Sequence, residues 1–356
     1  MADQQEYQPT KNSAAQPVAQ AEAKAKTQDE QQKREETPSV GADSGVFPLS
    51  EPSEEQTQDS MLHNILNYRR ENGRTYHRLS DGKYNFPNDE QEQERLDIVN
   101  HMWMLTFDGK FCLCPKNYGA RRVLDIGTGT GVWSMDFADE HPGADVIGID
   151  LSPIQPIYVP VNCLFEVDDL EEEWTWTEPF DFIFARNMIG CFSDWPGVIR
   201  KAFENLEPGG YFEIHDSVYP ILCDDGTLKE DAPLAKWTHL ILEACERTGR
   251  SLTITHQFPK LLEEAGFKNV TVTKVKFPVS PWPKDPKLRE IGSWVQASLL
   301  PGLEGMSLAL FTRILDWSPE ETIVFCAQVR DDVKNTNLHG YWDGMSVFGR
   351  KPFPDE

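Results

Sequence analysis

Long apolar runs are missing from this 356-residue chain. No stretch approaches the roughly 18 to 20 residues that a membrane helix needs, and the first residues show neither the basic nor the apolar segment of a secretion signal. The chain is therefore expected to be soluble, not secreted, and without a transmembrane segment. Basic residues are scarce as well: lysine and arginine number 34 against 58 aspartates and glutamates, a formal charge of −24. Such a surplus repels phosphate backbones and excludes direct nucleic-acid binding. Cysteine is sparse and unpatterned. Cys112, Cys114, Cys163, Cys191, Cys223, Cys245 and Cys326 are odd in number and contain no C-x-x-C pair. Neither a disulfide framework nor a zinc or other metal site is expected, and reduced thiols suit an intracellular compartment.

Aromatic residues are nearly absent from the first sixty positions, which hold only Tyr7 and Phe47 beside five basic and twelve acidic side chains. That composition cannot bury enough apolar area to offset chain entropy, so 1–60 is read as a disordered acidic tail, serving either solvation alone or an interaction. Residues 61–118 read as a helical preface. They include Glu71-Asn72-Gly73-Arg74-Thr75-Tyr76-His77 and then a helix starting near Asn88, with Asn88 and Gln91 as a capping pair and Leu96, Val99, Met102 and Trp103 at helical spacing.

From 119 to 350 short apolar runs alternate with helical segments. Arg122 to Ile126, Asp145 to Ile149, Asn162 to Val167, Phe180 to Phe184 and Gly210 to His215 read as buried strands; Val132 to Glu140 and Trp195 to Leu206 read as helices between them. This order marks a parallel α/β sheet. Helices are expected at Ala232 to Thr248 and Phe258 to Ala265, then a β-rich run from Val270 to Phe277. A helical stretch from Lys287 to Val333 is expected to break at Pro301-Gly302 and Pro319, and a closing strand to span Met345 to Arg350. The whole fits a Rossmann-like sheet of seven strands with an antiparallel last strand, a cap insertion at about 279–340 and a short tail at 351–356. Trp282, Trp294, Trp317 and Trp342 fall in or beside the insertion, as its core or as the lining of a pocket.

Val123-Leu124-Asp125-Ile126-Gly127-Thr128-Gly129-Thr130-Gly131 runs from a strand through a glycine-rich turn into a helix. Glycine lets the backbone approach a ligand, and the helix N-terminus favours the ligand's negative group. In S-adenosylmethionine that group is a carboxylate. Nucleotide-binding dehydrogenases use a related turn with G-x-G-x-x-G spacing, whereas here the spacing is G-x-G-x-G. Asp150, followed by Leu151, ends the next strand nineteen residues after Gly131, where a carboxylate accepts both ribose hydroxyls or else caps a following helix. The third strand ends in Asp168-Asp169; one of the pair, by strand register Asp169, is expected to take the adenine amino group. Arg186 ends the fourth strand, either holding the cofactor carboxylate or forming an ion pair.

Together, the glycine motif, Gly148-Ile149-Asp150-Leu151-Ser152-Pro153-Ile154-Gln155-Pro156, the run Phe165 to Trp174 and the preface Glu71 to His77 with Pro87-Asn88-Asp89-Glu90 resemble the fungal LaeA-like methyltransferases over residues 65 to 350. The resemblance implies S-adenosylmethionine as cofactor and a regulatory role in fungal development and secondary metabolism. It also implies velvet-type regulators or membrane-tethering proteins as partners, and residence in nucleus and cytoplasm. It names no methyl acceptor. If that acceptor is a neutral hydroxyl or amine, a base must take its proton, and His215 at the end of the fifth strand is the candidate, with Tyr76 of the preface closing over the site. A cofactor-binding scaffold without turnover and a nicotinamide-dependent dehydrogenase are the alternatives.

Overall fold

A computed structural model describes residues 68–80 and 82–356; the tail expected over 1–60 and the first residues of the preface lie outside them. The described chain opens on a small antiparallel hairpin, β1 (Arg69–Glu71) and β2 (Arg74–Tyr76), which the reading of 61–118 as a helical preface with its helix from near Asn88 did not anticipate. Asn72 and Gly73 both hold positive φ in its two-residue turn, the conformation that matches strand twist.

Helix α1 (Glu90–Thr106) follows. Its cap is Asp89 and not Asn88: the Asp89 carboxylate accepts the Glu92 N–H, while the Asn88 side chain binds Thr75 and Ser152 instead.

Seven strands make the main sheet: β3 (Arg122–Ile126), β4 (Asp145–Asp150), β5 (Cys163–Val167), β6 (Phe180–Arg186), β7 (Leu206–Leu222), β8 (Lys268–Pro278) and β9 (Tyr341–Arg350). Their order is β5-β4-β3-β6-β7-β9-β8, with β3 to β7 parallel and β9 antiparallel to both neighbours. β6 is buried at every position, which explains why its centre, Phe182 to Ala185, is a continuous apolar run and not an alternating one. The expected seven-stranded Rossmann-like sheet with an antiparallel strand is the observed one.

Helices α2 (Val132–Glu140), α3 (Trp195–Asn205), α4 (Pro233–Arg247) and α5 (Phe258–Ala265) connect the strands. The insertion between β8 and β9 forms α6 (Pro286–Ile314) and α7 (Pro319–Lys334). Pro301 does not break α6, contrary to the sequence reading. An interior proline costs about 3 kcal/mol, yet Leu299, Leu303, Leu308, Leu310 and Phe311 around it are buried against neighbours, and that burial exceeds the cost. The chain breaks later, at Asp316 with its positive φ and at Pro319. α6 packs on α1, α4, α7 and β8, so preface and insertion together build the cap. No helix among the described residues is long and apolar enough to cross a membrane.

Candidate active site

The carboxyl ends of β3, β4, β5 and β6 open onto a cavity of about 140 Å³. Asp125, Gly127, Thr128, Gly129, Asp150, Leu151, Asp168, Asp169 and Arg186 line it. Gly131, the tenth expected binding residue, does not. It is the left-handed cap of α2, with φ of 80°, and an added Cβ would lie 2.3 Å from the Phe165 ring. Its absent side chain serves packing between turn and strand.

Asp150 ties the turn to the sheet: its two oxygens accept the Gly129 and Ser152 N–H groups, each at 2.9 Å. No helix follows it before β5, so its carboxylate caps none. Burial pushes Asp150 up to about 6, against the pull of those N–H groups. Asp125 is buried, accepting from Thr128 and Ser134 at 2.7 Å; burial lifts it to about 6 against those two bonds.

Asp168 is exposed, while Asp169 is buried and already engaged. One Asp169 oxygen accepts from Ser80 at 2.6 Å and Lys83 at 2.5 Å, and the other from the Glu171 N–H. A carboxylate has about four acceptor positions, so one stays open beside the cavity.

Arg186 forms no ion pair among the described residues. Its guanidinium donates to Asn100 Oδ1 at 2.7 Å, the Phe111 carbonyl and His215 Nδ1, and lies over the Phe184 ring. Burial lowers it to about 10, so the cation persists at neutral pH with only neutral acceptors.

Neither His215 nor Tyr76 lines this cavity or the second one described below. His215 is fully buried: Nδ1 accepts from Arg186, so Nε2 carries the proton and donates to Glu213 Oε1 at 2.5 Å. Burial pulls it down to about 4 although Glu213 pushes the other way. It bridges a buried cation and carboxylate as a neutral ring. Glu213 also accepts from Ser346 and from the Leu113 and Cys114 N–H groups. Beside it the Cys112 and Cys114 sulfurs stand 3.8 Å apart, a proximity that the reading of the cysteines as scattered overlooked. Tyr76 is buried beneath the Arg313 guanidinium, 4.7 Å from its ring. Arg313 also bonds Glu71 and Asn85, pinning the hairpin to α6.

Residues that sequence reasoning passed over do line the space. A second cavity, about 170 Å³, lies between β7, α1, α4 and α6. Tyr84, Leu96, Asn187 and Cys191 line both cavities, so the two meet at these residues. Trp342 stands in the second wall, whereas Trp317 packs against Phe311 and Phe325. Asp216, next to His215 along β7, also lines it. Its only signal in the sequence was its place at the same strand end.

Known proteins resemble this chain. A family model described as a methyltransferase domain matches residues 67–272. Methyltransferase pytC of Aspergillus terreus is 39% identical over 295 residues, covering 83% of this chain and 91% of that protein. Secondary metabolism regulator LAE1 of Cochliobolus heterostrophus is 35% identical over 278 residues, 76% of this chain and 91% of its own. The protein-methionine methyltransferase laeA of Emericella nidulans is 34% identical over 277 residues, covering 77% and 74%.

Proposed function

The chain belongs to the LaeA-like class I methyltransferases, and from that premise we propose that it binds S-adenosylmethionine in the first cavity and methylates an acceptor held in the second. The observation that carries the reading is the pair of cavities sharing Tyr84, Leu96, Asn187 and Cys191, because methyl transfer needs two ligands whose reacting atoms meet within about 3 to 3.5 Å. The residues fit the cofactor. Arg186, a buried cation without a carboxylate partner among the described residues, suits the amino-acid carboxylate; Asp150 at the strand edge suits the ribose hydroxyls; the open acceptor position of Asp169 suits the adenine amino group. When bound, the sulfonium supplies the methyl group by in-line displacement. The chain's own part is alignment and exclusion of water. Lys83, Tyr84, Pro87 and Asn88 bring the preface over the first cavity, the closing role that had been expected of Tyr76.

The family match removes the dehydrogenase alternative. A place in secondary metabolism follows the names of the relatives. The finer reading is that the chain regulates development and secondary metabolism in a complex with velvet-type or membrane-tethering partners, in nucleus and cytoplasm. It rests on the likeness to LaeA-like regulators alone, and capture of partners by the tagged full chain from its own cells tests it.

Calorimetric titration tests the cofactor. S-adenosylmethionine is expected to bind with micromolar affinity, NAD not to bind, and Asp150→Ala to weaken binding by about 50-fold or more, since both ribose hydroxyls lose a charged acceptor. Folded protein that binds neither compound would sink the reading.

A further inference from the structure

The second cavity has a chemical signature of its own. Six aromatic rings stand in its wall, from Tyr84, Phe86, Tyr219, Trp237, Phe277 and Trp342, with aliphatic side chains of α1, α4 and α6 between them. A space of this order accommodates about one aromatic ring. Arg95, Asn187, Ser217 and Ser298 also line it, with Arg95 held by Glu92 at 2.7 Å, and two further polar groups stand without a full set of partners. The Trp342 indole N–H is buried with no hydrogen-bond partner, whereas the Trp237 indole in the same wall donates to Ser307 Oγ at 2.8 Å. Asp216 is buried, with no cation paired to it among the described residues. One of its oxygens accepts the Met188 and Ile189 N–H groups at 2.7 and 2.8 Å, and the other accepts only the Ser217 N–H at 2.9 Å. An orphaned donor and an under-filled carboxylate on two residues that line one largely apolar space call for a ligand that offers one acceptor and one donor on an apolar body.

We propose that the acceptor is a neutral, ring-bearing small molecule whose hydroxyl is methylated at oxygen, with Asp216 as the base that takes its proton and the Trp342 N–H anchoring a second oxygen. This rests on the reading of the chain as a methyltransferase with its acceptor in this cavity. In the step, the hydroxyl oxygen forms its bond to the methyl carbon as the carbon–sulfur bond breaks. The bonding pair stays on sulfur, and the hydroxyl proton passes to the Asp216 oxygen that holds only the Ser217 N–H. Burial pushes Asp216 up to about 7 against its three N–H bonds, which suits a proton acceptor at neutral pH. Other acceptors match the wall less well. An amine would sit against the carboxylate as an ammonium, without a lone pair to attack with. A methionine thioether has no proton for Asp216 and is a weak partner for the indole.

The test uses 4-hydroxyacetophenone, one ring with a hydroxyl and a carbonyl, and the full chain loaded with S-adenosylhomocysteine. Calorimetry is expected to show binding that Trp342→Phe weakens by about 5-fold, the loss of one buried hydrogen bond. With S-adenosylmethionine, mass spectrometry is expected to find 4-methoxyacetophenone, formed about 100-fold more slowly by Asp216→Asn. Both variants should bind S-adenosylmethionine within about 2-fold of the parent, which separates loss of the base from loss of the fold. Three results would overturn the proposal: no binding of the phenol by the loaded protein, transfer to a methionine-containing peptide in its place, or an unchanged rate in Asp216→Asn. Failure of the parent to bind S-adenosylmethionine would remove the underlying reading, and this one with it.

Discussion

His215 and Asp216 are adjacent in β7, and residues adjacent in a strand point to opposite faces. Both faces of β7 contribute to the second cavity, through Asp216 on one and Ser217 and Tyr219 on the other, yet of this pair only Asp216 lines it. His215 turns toward Arg186 and Glu213, where burial fills its hydrogen bonds and holds it neutral. Glu171 is a residue whose charge has a structural use beside the first cavity. Its carboxylate joins Arg250 at 2.8 Å to the Ser193 N–H and hydroxyl, both at 2.7 Å. Burial alone would raise it, but these partners outweigh burial and hold it down to about 2. A carboxyl lowered from 4.5 contributes stability that is complete above about pH 4.5 and fades as pH falls toward 2. Glu171→Gln is therefore expected to cost ~2 kcal/mol in urea unfolding at pH 7, with the gap to the parent shrinking by about half at pH 3. A gap that stays constant with pH would show that the charge is not what Glu171 contributes.

At the scale of elements, the helix starts were the most readable features. Proline stands in the first turn of α3, α4, α5, α6 and α7, where its missing N–H costs nothing and its fixed φ suits the helix. α7 adds a capping box: Ser318 accepts the Glu321 N–H, and Glu321 accepts that of Ser318. Ser318→Ala is expected to lower stability by about 1 kcal/mol, measured by urea titration. An unchanged midpoint would mean that packing alone holds that end. Pro301 was less readable for the same physical reason that Pro319 was clear. A proline at a helix start acts locally, whereas one inside a helix competes with burial that adjacent sequence does not reveal. The α1 cap slipped by one residue because Asn88 and Asp89 are equally good caps, and Arg74, bonded to Asp89 at 2.6 and 2.8 Å, holds that carboxylate in place.

At the scale of the molecule, cofactor and cap act on one folding unit. The first cavity takes residues from the preface, the turn after β3, and the ends of β4, β5 and β6. A ligand there binds only the folded chain and stabilises it by mass action, ~2.7 kcal/mol at 100 times its dissociation constant. S-adenosylmethionine at that excess should raise the thermal midpoint by about 5 °C or more, and NAD should not. Asp150→Ala, binding about 50-fold more weakly, should cut the shift to about a quarter or less at the same concentration. Stabilisation of the variant equal to that of the parent would remove Asp150 from the site.

The sequence by itself determined what neighbours along the chain decide: buried strands as apolar runs, helices between prolines and caps, a glycine turn entering α2, and carboxylates at the ends of β4 and β5. These follow from backbone geometry and side-chain volume within a few residues. Only the tertiary structure decided that Asp216 and not His215 lines a cavity, that Gly131 packs on Phe165, and that Tyr84 and Trp342 join one wall from opposite ends of the described chain. Those outcomes depend on where distant elements pack, and burial, which acts between surfaces without regard to chain separation, leaves no local pattern to read.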